Sequence, residues 1–363
     1  MRVAVLWTKL SGYLDSCLRA LAAVEGTELF VSYQESTPDA PFADEQFRWI
    51  PSSYRYPEMP VASELLPRLR DFRPDVVIVS GWHVPAYREA CRALRGRALR
   101  VCCTDNPWVG SARQWLGAIT APIFVQRLFD AAFVPGDHQY KLMRHLGFTP
   151  DIIWRGSLSC DQPAFAAVAE QRQQQPVPHS FLYVGRLDAN KNSDKAIDVL
   201  RESYLAYRSQ SPAPWPLLIA GDGPLRLLLE GVTGVEMIGF LQPPQLPSTM
   251  LRAGCLLLPS RVEHWGVVLH EAAAAGMPII CTSTCGGAIH LVHDGYNGAV
   301  IPPGNAKQLT AAMLCISGLD DSRLRQMGEA SFQLSQQFTP QLWAQRVLQN
   351  GAALRLRLGM DAH

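Results

Sequence analysis

The feature that most constrains the fold is a series of short apolar runs, each of four or five residues, that alternate with helical patterns along the chain. Runs of this length that are apolar at nearly every position predict strands buried on both faces, which occur mainly in parallel sheets. The predicted strands lie at 3–7, 75–79, 99–103, 131–134, 181–184, 216–220, 235–238, 255–258 and 278–281. The intervening helices predict an α/β fold in which helices cover both sides of each sheet.

The length of the chain predicts two such sheets, because 363 residues exceed what one core usually contains. Residues 170–178, EQRQQQPVP, have almost no apolar content, and we interpret them as a surface connection near the domain boundary. We therefore expect a first doubly wound domain at 1–165 and a second at 166–335. Residues 336–363 should form a C-terminal helix that packs back on the first domain.

Composition and charge argue against several classes of protein. The formal net charge is +1, so we expect no nucleic-acid partner. Nine cysteines without a C-x-x-C pair are typical of reduced, buried thiols, which predicts a cytoplasmic protein. No stretch approaches the about 18 apolar residues that a membrane span needs. Lys9 follows the N-terminus too soon for the apolar region of a signal peptide.

A basic segment in the first half leaves a peripheral membrane contact open. If residues 85–94 are helical, Arg88, Arg92 and Arg95 share one face, as at an anionic lipid surface on the inner side of a membrane. A solvated helix face is the alternative. The aromatic residues near the predicted ligand edge could stack on sugar or lipid, or pack in the core; they are Trp82, Trp108 and Trp115.

Two glycine turns follow predicted strands of the second domain. In residues 184–192, VGRLDANKN, the strand ends at Gly185, and Arg186 and Lys191 flank a polar loop. Glycine permits close backbone approach, and the two cations match a diphosphate, although a solvated loop would look similar. Residues 220–226, AGDGPLR, match neither the dinucleotide fingerprint nor the P-loop, so a plain strand-to-helix turn is an alternative there.

Residues 259–272, PSRVEHWGVVLHEA, are the strongest indication of a ligand site in the sequence. A strand ends at their start, Glu263 lies on the following loop, and a helix is predicted to begin near Gly266. Glutamates such as Glu271, more than one turn into an apolar helix, are rare unless they are paired or bind a hydroxyl-rich ligand. A salt bridge to a neighbouring element is the alternative. The backbone N–H groups that such a helix start offers to an anion are those of Gly266, Val267 and Val268.

In this order the motifs resemble those of retaining glycosyltransferases of family 4. The resemblance runs from about Gly136 to the C-terminus, is strongest over 181–304, and includes 274–282 and 293–305; the first half matches weakly. It implies the GT-B fold, in which two Rossmann-like, doubly wound parallel-sheet domains face a central cleft. It also implies transfer of a hexose-type sugar from a UDP- or GDP-sugar to a hydroxyl acceptor, such as a polysaccharide, a lipid-linked glycan precursor or a small molecule.

The resemblance also implies a role for each site residue. Arg186 and Lys191 would hold the donor diphosphate, Glu271 would bind the ribose hydroxyls, and Glu263 would contact the donor sugar. No metal or other cofactor is expected, because the two cations can supply the positive charge that the leaving diphosphate needs. The remaining donor contacts would come from Gly12, Gly185, Gly239, Phe240, Gly266, Val267 and Val268.

This sequence departs from the family pattern at two positions. The family carries a histidine after a strand of the first domain, and in this chain Asp105 stands in that place; His83, after another strand, is the other candidate for the role. The family favours a glutamate where this chain has His290. A nucleotide-sugar epimerase on the same fold is one alternative to the transferase. The substitution by Asp105 makes a non-catalytic sugar- or nucleotide-binding homologue the other.

Overall fold

The computed structural model describes residues 1–35, 44–188 and 193–360, which divide into two units with separate cores. The first unit contains Met1–Cys160 together with the C-terminal segment that begins at Phe338, and the second contains Asp161–Gln337. The division after Cys160 lies a few residues before the predicted boundary at 165. The chain there passes directly into the first helix of the second unit, so that helix is not split between the two.

The first unit is built on a parallel sheet. Its strands are β1 (Arg2–Lys9), β2 (Glu28–Gln34), β3 (Ser52–Tyr56), β4 (Val76–Ser80), β5 (Leu99–Cys103), β6 (Ala131–Val134) and β7 (Ile153–Arg155). Among the described residues their order is β3-β2-β1-β4-β5-β6-β7, with every pair parallel. The helices between them are α1 (Gly12–Ala22), α2 (Ala62–Phe72), α3 (Pro85–Ala93), α4 (Ala112–Phe124) and α5 (Asp137–His145).

The second unit repeats this architecture. Its strands are β8 (Phe181–Val184), β9 (Leu217–Ala220), β10 (Val235–Gly239), β11 (Cys255–Leu258), β12 (Ile279–Thr282) and β13 (Gly298–Ile301). They form a parallel sheet that runs β10-β9-β8-β11-β12-β13 in the described residues. Its helices are α6 (Gln162–Gln174), α7 (Ser193–Gln210), α8 (Leu246–Leu251), α9 (Val267–Ala274), α10 (Ala288–Leu291), α11 (Ala306–Ser317) and α12 (Asp321–Ser335).

The C-terminal helix α13 (Pro340–Arg357) belongs to the first unit, where it packs against α1. The indole Nε1 of Trp343 donates a hydrogen bond to the carbonyl oxygen of Ser157 at 2.9 Å. The buried guanidinium of Arg355 lies 3.0 Å from the carboxylate of Asp75. A buried indole and a buried cation that both have partners tie this helix to the sheet.

Successive residues of the central strands enter different cores, which explains why the strands appear as continuous apolar runs. Ala4 and Leu6 of β1 join the cluster that includes residues of α2 and α3, whereas Val3 and Val5 join the one that includes residues of α1 and α13. All four side chains are fully buried. Side chains alternate across a strand, so a sheet covered on both faces needs an apolar residue at every position.

Two sequence interpretations need correction. Residues 170–174 are not a connection, because they complete α6; Arg172 among them is partly buried and donates to the carbonyl oxygens of Met250 and Ala253. The sequence patterns also missed β2, β3, β7 and β13. The last three are edge strands. Polar or charged residues interrupt β3 and β7, so these two lack a continuous apolar run, whereas β13 is short and apolar throughout.

The described residues contain no helix with both the length and the apolar character of a membrane span. All nine cysteines lie in the described residues as free thiols; eight are buried, and Cys315 is exposed.

Candidate functional site

The strand order of the second unit changes direction between β8 and β11. The chain proceeds from β8 outward to β9 and β10, then returns to place β11 on the other side of β8. Ligands of open parallel sheets collect at the carboxyl ends of the strands beside such a point. Gly185 and Arg186 directly follow β8, and the loop that carries Glu263 follows β11. The topology therefore brings the two sharpest sequence motifs to one edge of one sheet.

The guanidinium of Arg186 is available to a ligand at this edge. Its side chain is 56% exposed, and Nη1 lies 3.5 Å from Oδ2 of Asp188. An exposed ion pair of this kind contributes little free energy, so an anionic ligand can compete for the arginine. Lys191, the second predicted cation, lies outside the described residues, and its role stays a prediction.

The glycine turn at residues 220–226 packs against the loop that follows Gly185. A Cβ on Gly221, whose φ is +151°, would lie 1.9 Å from the carbonyl oxygen of Gly185. A Cβ on Gly223, whose φ is +144°, would lie 2.3 Å from the carbonyl oxygen of Leu187. The Leu187 N–H donates to the carbonyl oxygen of Asp222 at 2.9 Å. These two glycines therefore let the turn pack directly on the backbone of the Arg186 loop, as a strand-to-helix turn that shapes the site.

The end of β10 lies beside this turn. The N–H of Gly221 donates to the carbonyl oxygen of Gly239 at 2.8 Å. Gly239 has a φ of +85° with open space where a Cβ would lie, and the ring of Phe240 is 43% exposed. An exposed aromatic ring next to bare backbone is able to contact a planar base. The predicted roles of Gly239 and Phe240 stay predictions.

The loop that carries Glu263 is held by the segment after β12. Gly286 donates its N–H to the carbonyl oxygen of Glu263 at 3.0 Å, and Gly287 donates to that of Trp265 at 2.8 Å. Gly266 then adopts a φ of +79°, which a side chain would strain, and serves as the N-cap of α9. The helix thus begins where the sequence predicted, directly after the loop.

The carboxylate of Glu263 lies near the end of β8. Burial is the main cause of the raised pKa of Tyr183 on β8, and the charge of Glu263 raises it further. Burial is also the main cause of the raised pKa of Cys285, which reaches about 12 with a contribution from the charge of Glu263. Val267 and Val268 are the first two residues of α9, and both are partly buried. Because the first N–H groups of a helix lack intrahelical acceptors, the start of α9 has N–H groups available to an anion, and the predicted roles of Val267 and Val268 stay predictions.

Glu271 lies in the middle of α9 and is partly buried. Within the described residues its carboxylate makes no hydrogen bond and no ion pair, so the salt bridge that was the alternative interpretation is not found there. Burial, followed by the charge of Asp161, raises the pKa of Glu271 to about 7. A partly buried carboxyl group without a protein partner is suited to accept hydrogen bonds from the hydroxyl groups of a ligand.

The raised pKa of Glu271 has a consequence for stability. The folded state disfavours the charged form of the Glu271 carboxyl group. The contribution of Glu271 to stability is therefore full below the ordinary pKa of 4.5 and is lost as the pH rises through about 7. Between pH 5 and pH 8 the ligand-free wild type should therefore lose about 2 kcal/mol more stability than Glu271→Gln does. Urea unfolding at both pH values measures this, with Glu202→Gln on α7 as an exposed control. Equal pH dependence in wild type and Glu271→Gln would contradict it.

In the first unit the predicted residues follow three strands at the centre of the sheet. Gly12 follows β1, His83 follows β4, and Asp105 follows β5. The strand order of this sheet changes direction between β1 and β4. Gly12 is the first residue of α1, because the helix begins directly after Ser11. The topology thus brings all three residues to the carboxyl edge of the first sheet.

Sequence reasoning missed Tyr13, which directly follows Gly12. Burial raises the pKa of Tyr13 to about 12, and the charge of Asp105 contributes to the increase, so the phenol and this carboxylate are close. The side chains of Asp105 and His83 are both exposed. The Nε2 of Gln139 donates to the carbonyl oxygen of Asp105 at 3.0 Å and holds its loop. The position of Tyr13 next to Gly12 was the only signal in the sequence.

The sequence of the second unit matches a known protein family. Residues 168–333 match the family model described as glycosyl transferases group 1. An α-D-kanosaminyltransferase of Streptomyces kanamyceticus is 32% identical over 152 residues, which are 40% of this chain and 37% of that protein. A glycogen synthase of Mycobacterium tuberculosis is 31% identical over 182 residues, or 48% of this chain and 41% of that protein. The chain spans less than half the length of these curated relatives.

Solved structures resemble the whole chain. A glycosyltransferase from Rickettsia africae has a TM-score of 0.74 at 15% identity, with 97% of this chain and 98% of that chain covered. HepE of Anabaena in complex with UDP has a TM-score of 0.72 at 17% identity, with 97% and 100% covered. At such identities the likeness shows the fold, which is GT-B, and the narrower assignment to family 4 stays a prediction. Residues 168–333, which match the glycosyl transferases group 1 model, carry the candidate donor site.

Proposed function

We propose that this protein is a retaining glycosyltransferase that moves a hexose-type sugar from a UDP- or GDP-sugar to a hydroxyl acceptor without a metal ion. One observation carries the proposal. At the carboxyl edge of the second sheet, an exposed arginine, the amino end of α9 and a carboxyl group without a partner among the described residues follow the two strands at the switch point. This combination matches a ligand with two phosphates and a ribose.

The arrangement is suited to the departure of a nucleoside diphosphate. In the proposed reaction the bond from the sugar C1 to the β-phosphate oxygen breaks, and the acceptor oxygen bonds to C1 on the same face. The acceptor proton passes to the departing phosphate. Arg186 and the N–H groups of Val267 and Val268 would stabilise the negative charge that develops on the diphosphate. Glu263 would contact the sugar, and Glu271 would accept hydrogen bonds from the ribose hydroxyls.

The first unit would serve the acceptor, which we propose to be a growing polysaccharide or a lipid-linked glycan precursor. Gly12, His83 and Asp105 lie at the carboxyl edge of its sheet, where ligands of such folds bind. Asp105 or His83 would orient the acceptor hydroxyl. The solved structures of similar fold support the donor class, because HepE was solved in complex with UDP and with UDP-glucose.

Calorimetric titration with UDP, GDP and ADP tests the donor site directly. We expect one of the three to bind with a dissociation constant on the order of micromolar, and chelation of metals with EDTA to leave the affinity unchanged. Both Arg186→Ala and Glu271→Ala should weaken this binding. If none of the three nucleotides bound to the folded protein, the proposed donor site would be wrong.

The same preparations separate the transferase from its rivals. Release of nucleotide that needs an acceptor hydroxyl supports glycosyl transfer. Conversion of the donor sugar without any acceptor would indicate an epimerase. Nucleotide binding without turnover on a broad panel of acceptors would indicate a binding protein, as the aspartate at position 105 in place of the family histidine allows.

A further inference from the structure

Helix α4 of the first unit exposes its large apolar side chains. Ile119 is 74% exposed and Leu116 is 64% exposed. The side that faces the unit holds small or polar residues: Ala121 is buried, and Gln114, Gly117 and Ala118 are partly buried. The other large apolar side chains that this helix exposes are Trp115, Ile123 and Phe124. An ordinary surface helix has the opposite arrangement, with its apolar stripe toward the core.

The exposed side chains form one continuous surface, which we call the α4 face and define as residues Trp115, Leu116, Ile119 and Ile123. These positions are separated by three or four residues, or are adjacent, so they share one side of the helix. The face extends over about 12 Å along the helix axis. A contiguous apolar surface of this kind on a soluble unit marks a contact with a partner.

Aromatic rings border the α4 face at its N-terminal end. The ring of Trp115 lies edge-on to that of Trp108, with the centroids 5.1 Å apart, and His145 stacks on Trp108 at 3.8 Å. Val109, just before the helix, is 70% exposed. Indole rings that are partly packed and partly exposed are typical of groups that lie at the boundary between water and lipid.

The charges around the α4 face are positive. Residues 107–129 contain Arg113 and Arg127 and no acidic residue, and both arginines are exposed. The next acidic residue, Asp130, is paired with Arg100 at 2.6 Å. The neighbouring helix α5 adds the exposed Lys141 and Arg144, and its acidic residue Asp137 is paired with Arg155 at 3.1 Å. An apolar helix face bordered by cations is complementary to a lipid surface with negative headgroups.

We propose that the first unit docks on an anionic lipid bilayer through α4, with the α4 face inserted among the headgroups and Arg113 and Arg127 at the phosphates. This places the membrane contact on a different element from the one that the sequence suggested. The predicted three-arginine face does not form on one helix, because α3 ends at Ala93 and Arg95 lies in the following turn. The loop that leads into α4 includes Asp105, so the docked helix would hold the predicted acceptor residue near the lipid surface.

Vesicle flotation with the full chain tests this proposal. We expect the wild-type protein to float with vesicles of equal parts phosphatidylcholine and phosphatidylglycerol, and weakly or not at all with phosphatidylcholine alone. The double substitution Ile119→Ser with Ile123→Ser should weaken binding about tenfold or more. Arg113→Gln should weaken it about fivefold. Leu356→Ser, at an 81% exposed leucine of α13, is the matched control and should bind like wild type.

Two results would overturn the proposal. One is that the wild-type protein does not float with the phosphatidylglycerol vesicles, or that Leu356→Ser weakens binding as much as the α4 substitutions do. The other is that sedimentation shows a wild-type dimer that the double substitution dissociates, while vesicles bind neither protein; the α4 face would then join two copies of this chain. Nucleotide titration of the same samples keeps the donor site separate, because vesicle binding without nucleotide binding supports the membrane contact and contradicts only the proposed function.

Discussion

Replacing Arg186 with alanine should lower kcat/KM for the donor sugar by about a hundredfold to a thousandfold, the usual cost of removing one fixed donor to a developing negative charge. Its guanidinium follows β8 at the switch point and makes an exposed 3.5 Å contact with Asp188. The substitution should therefore leave the fold unchanged and remove charge stabilisation from the departing diphosphate. The rate of nucleotide release from each donor sugar, measured with and without acceptor, checks this.

Two matched variants make the result interpretable. Arg201→Ala removes an exposed arginine of α7 in the same unit and should retain full activity. Arg186→Lys keeps the charge but loses the planar fork, so its activity should fall between those of wild type and Arg186→Ala. If Arg186→Ala released nucleotide at a near-normal rate, Arg186 would have no part in the mechanism. The charge stabilisation would then have to come from the helix end or from Lys191.

Gly221→Ala should destabilise the second unit by about 3 kcal/mol or more. The added methyl carbon would lie 1.9 Å from the carbonyl oxygen of Gly185, and a φ of +151° is strained for any side chain. The new methyl carbon and the Gly185 oxygen are both fixed to the backbone. The turns that follow β8 and β9 must therefore move apart. Urea unfolding of the full chain measures the loss, and nucleotide titration of the folded fraction reports the displaced Arg186 loop.

Gly231→Ala separates the steric clash from the backbone strain. Gly231 has a φ of +77°, but a Cβ there would meet open space. That substitution should cost only the strain of a left-handed residue, about 1–2 kcal/mol. If the two alanine variants were equally stable, the close contact between Gly221 and Gly185 would not hold the turn, and residues 220–226 would not shape the site.

The predicted strands and motifs were informative because they depend on local pattern. A strand buried on both faces needs an apolar residue at every position, so β1, β4, β5, β8 and β11 were visible as continuous runs. The edge strand β3 has exposed polar positions, and it was missed. The start of α9 at Gly266 was also predictable, since a loop, a glycine and an apolar helix follow one another in the chain.

Side-chain partners were not predictable in this way. The carboxylate of Glu271 could equally have been paired, and only its surroundings show that no partner among the described residues reaches it. The glycines at 221 and 223 looked like a plain turn, yet they pack on the loop that carries Arg186. Tyr13 acquires its raised pKa from burial and from Asp105, which is distant in sequence.

The sequence by itself determined that the chain forms two parallel sheets covered by helices, and which strand ends carry the glycosyltransferase motifs. Hydrophobic periodicity and backbone freedom at glycine act over a few residues, so they can be recognised in a single chain. Only the tertiary structure decided that Glu271 makes no ion pair among the described residues, that two turns of the second sheet touch, and that α4 presents its apolar side to solvent. An apolar helical pattern is the same whichever way the helix faces, and its direction depends on which surfaces distant parts of the chain have already buried.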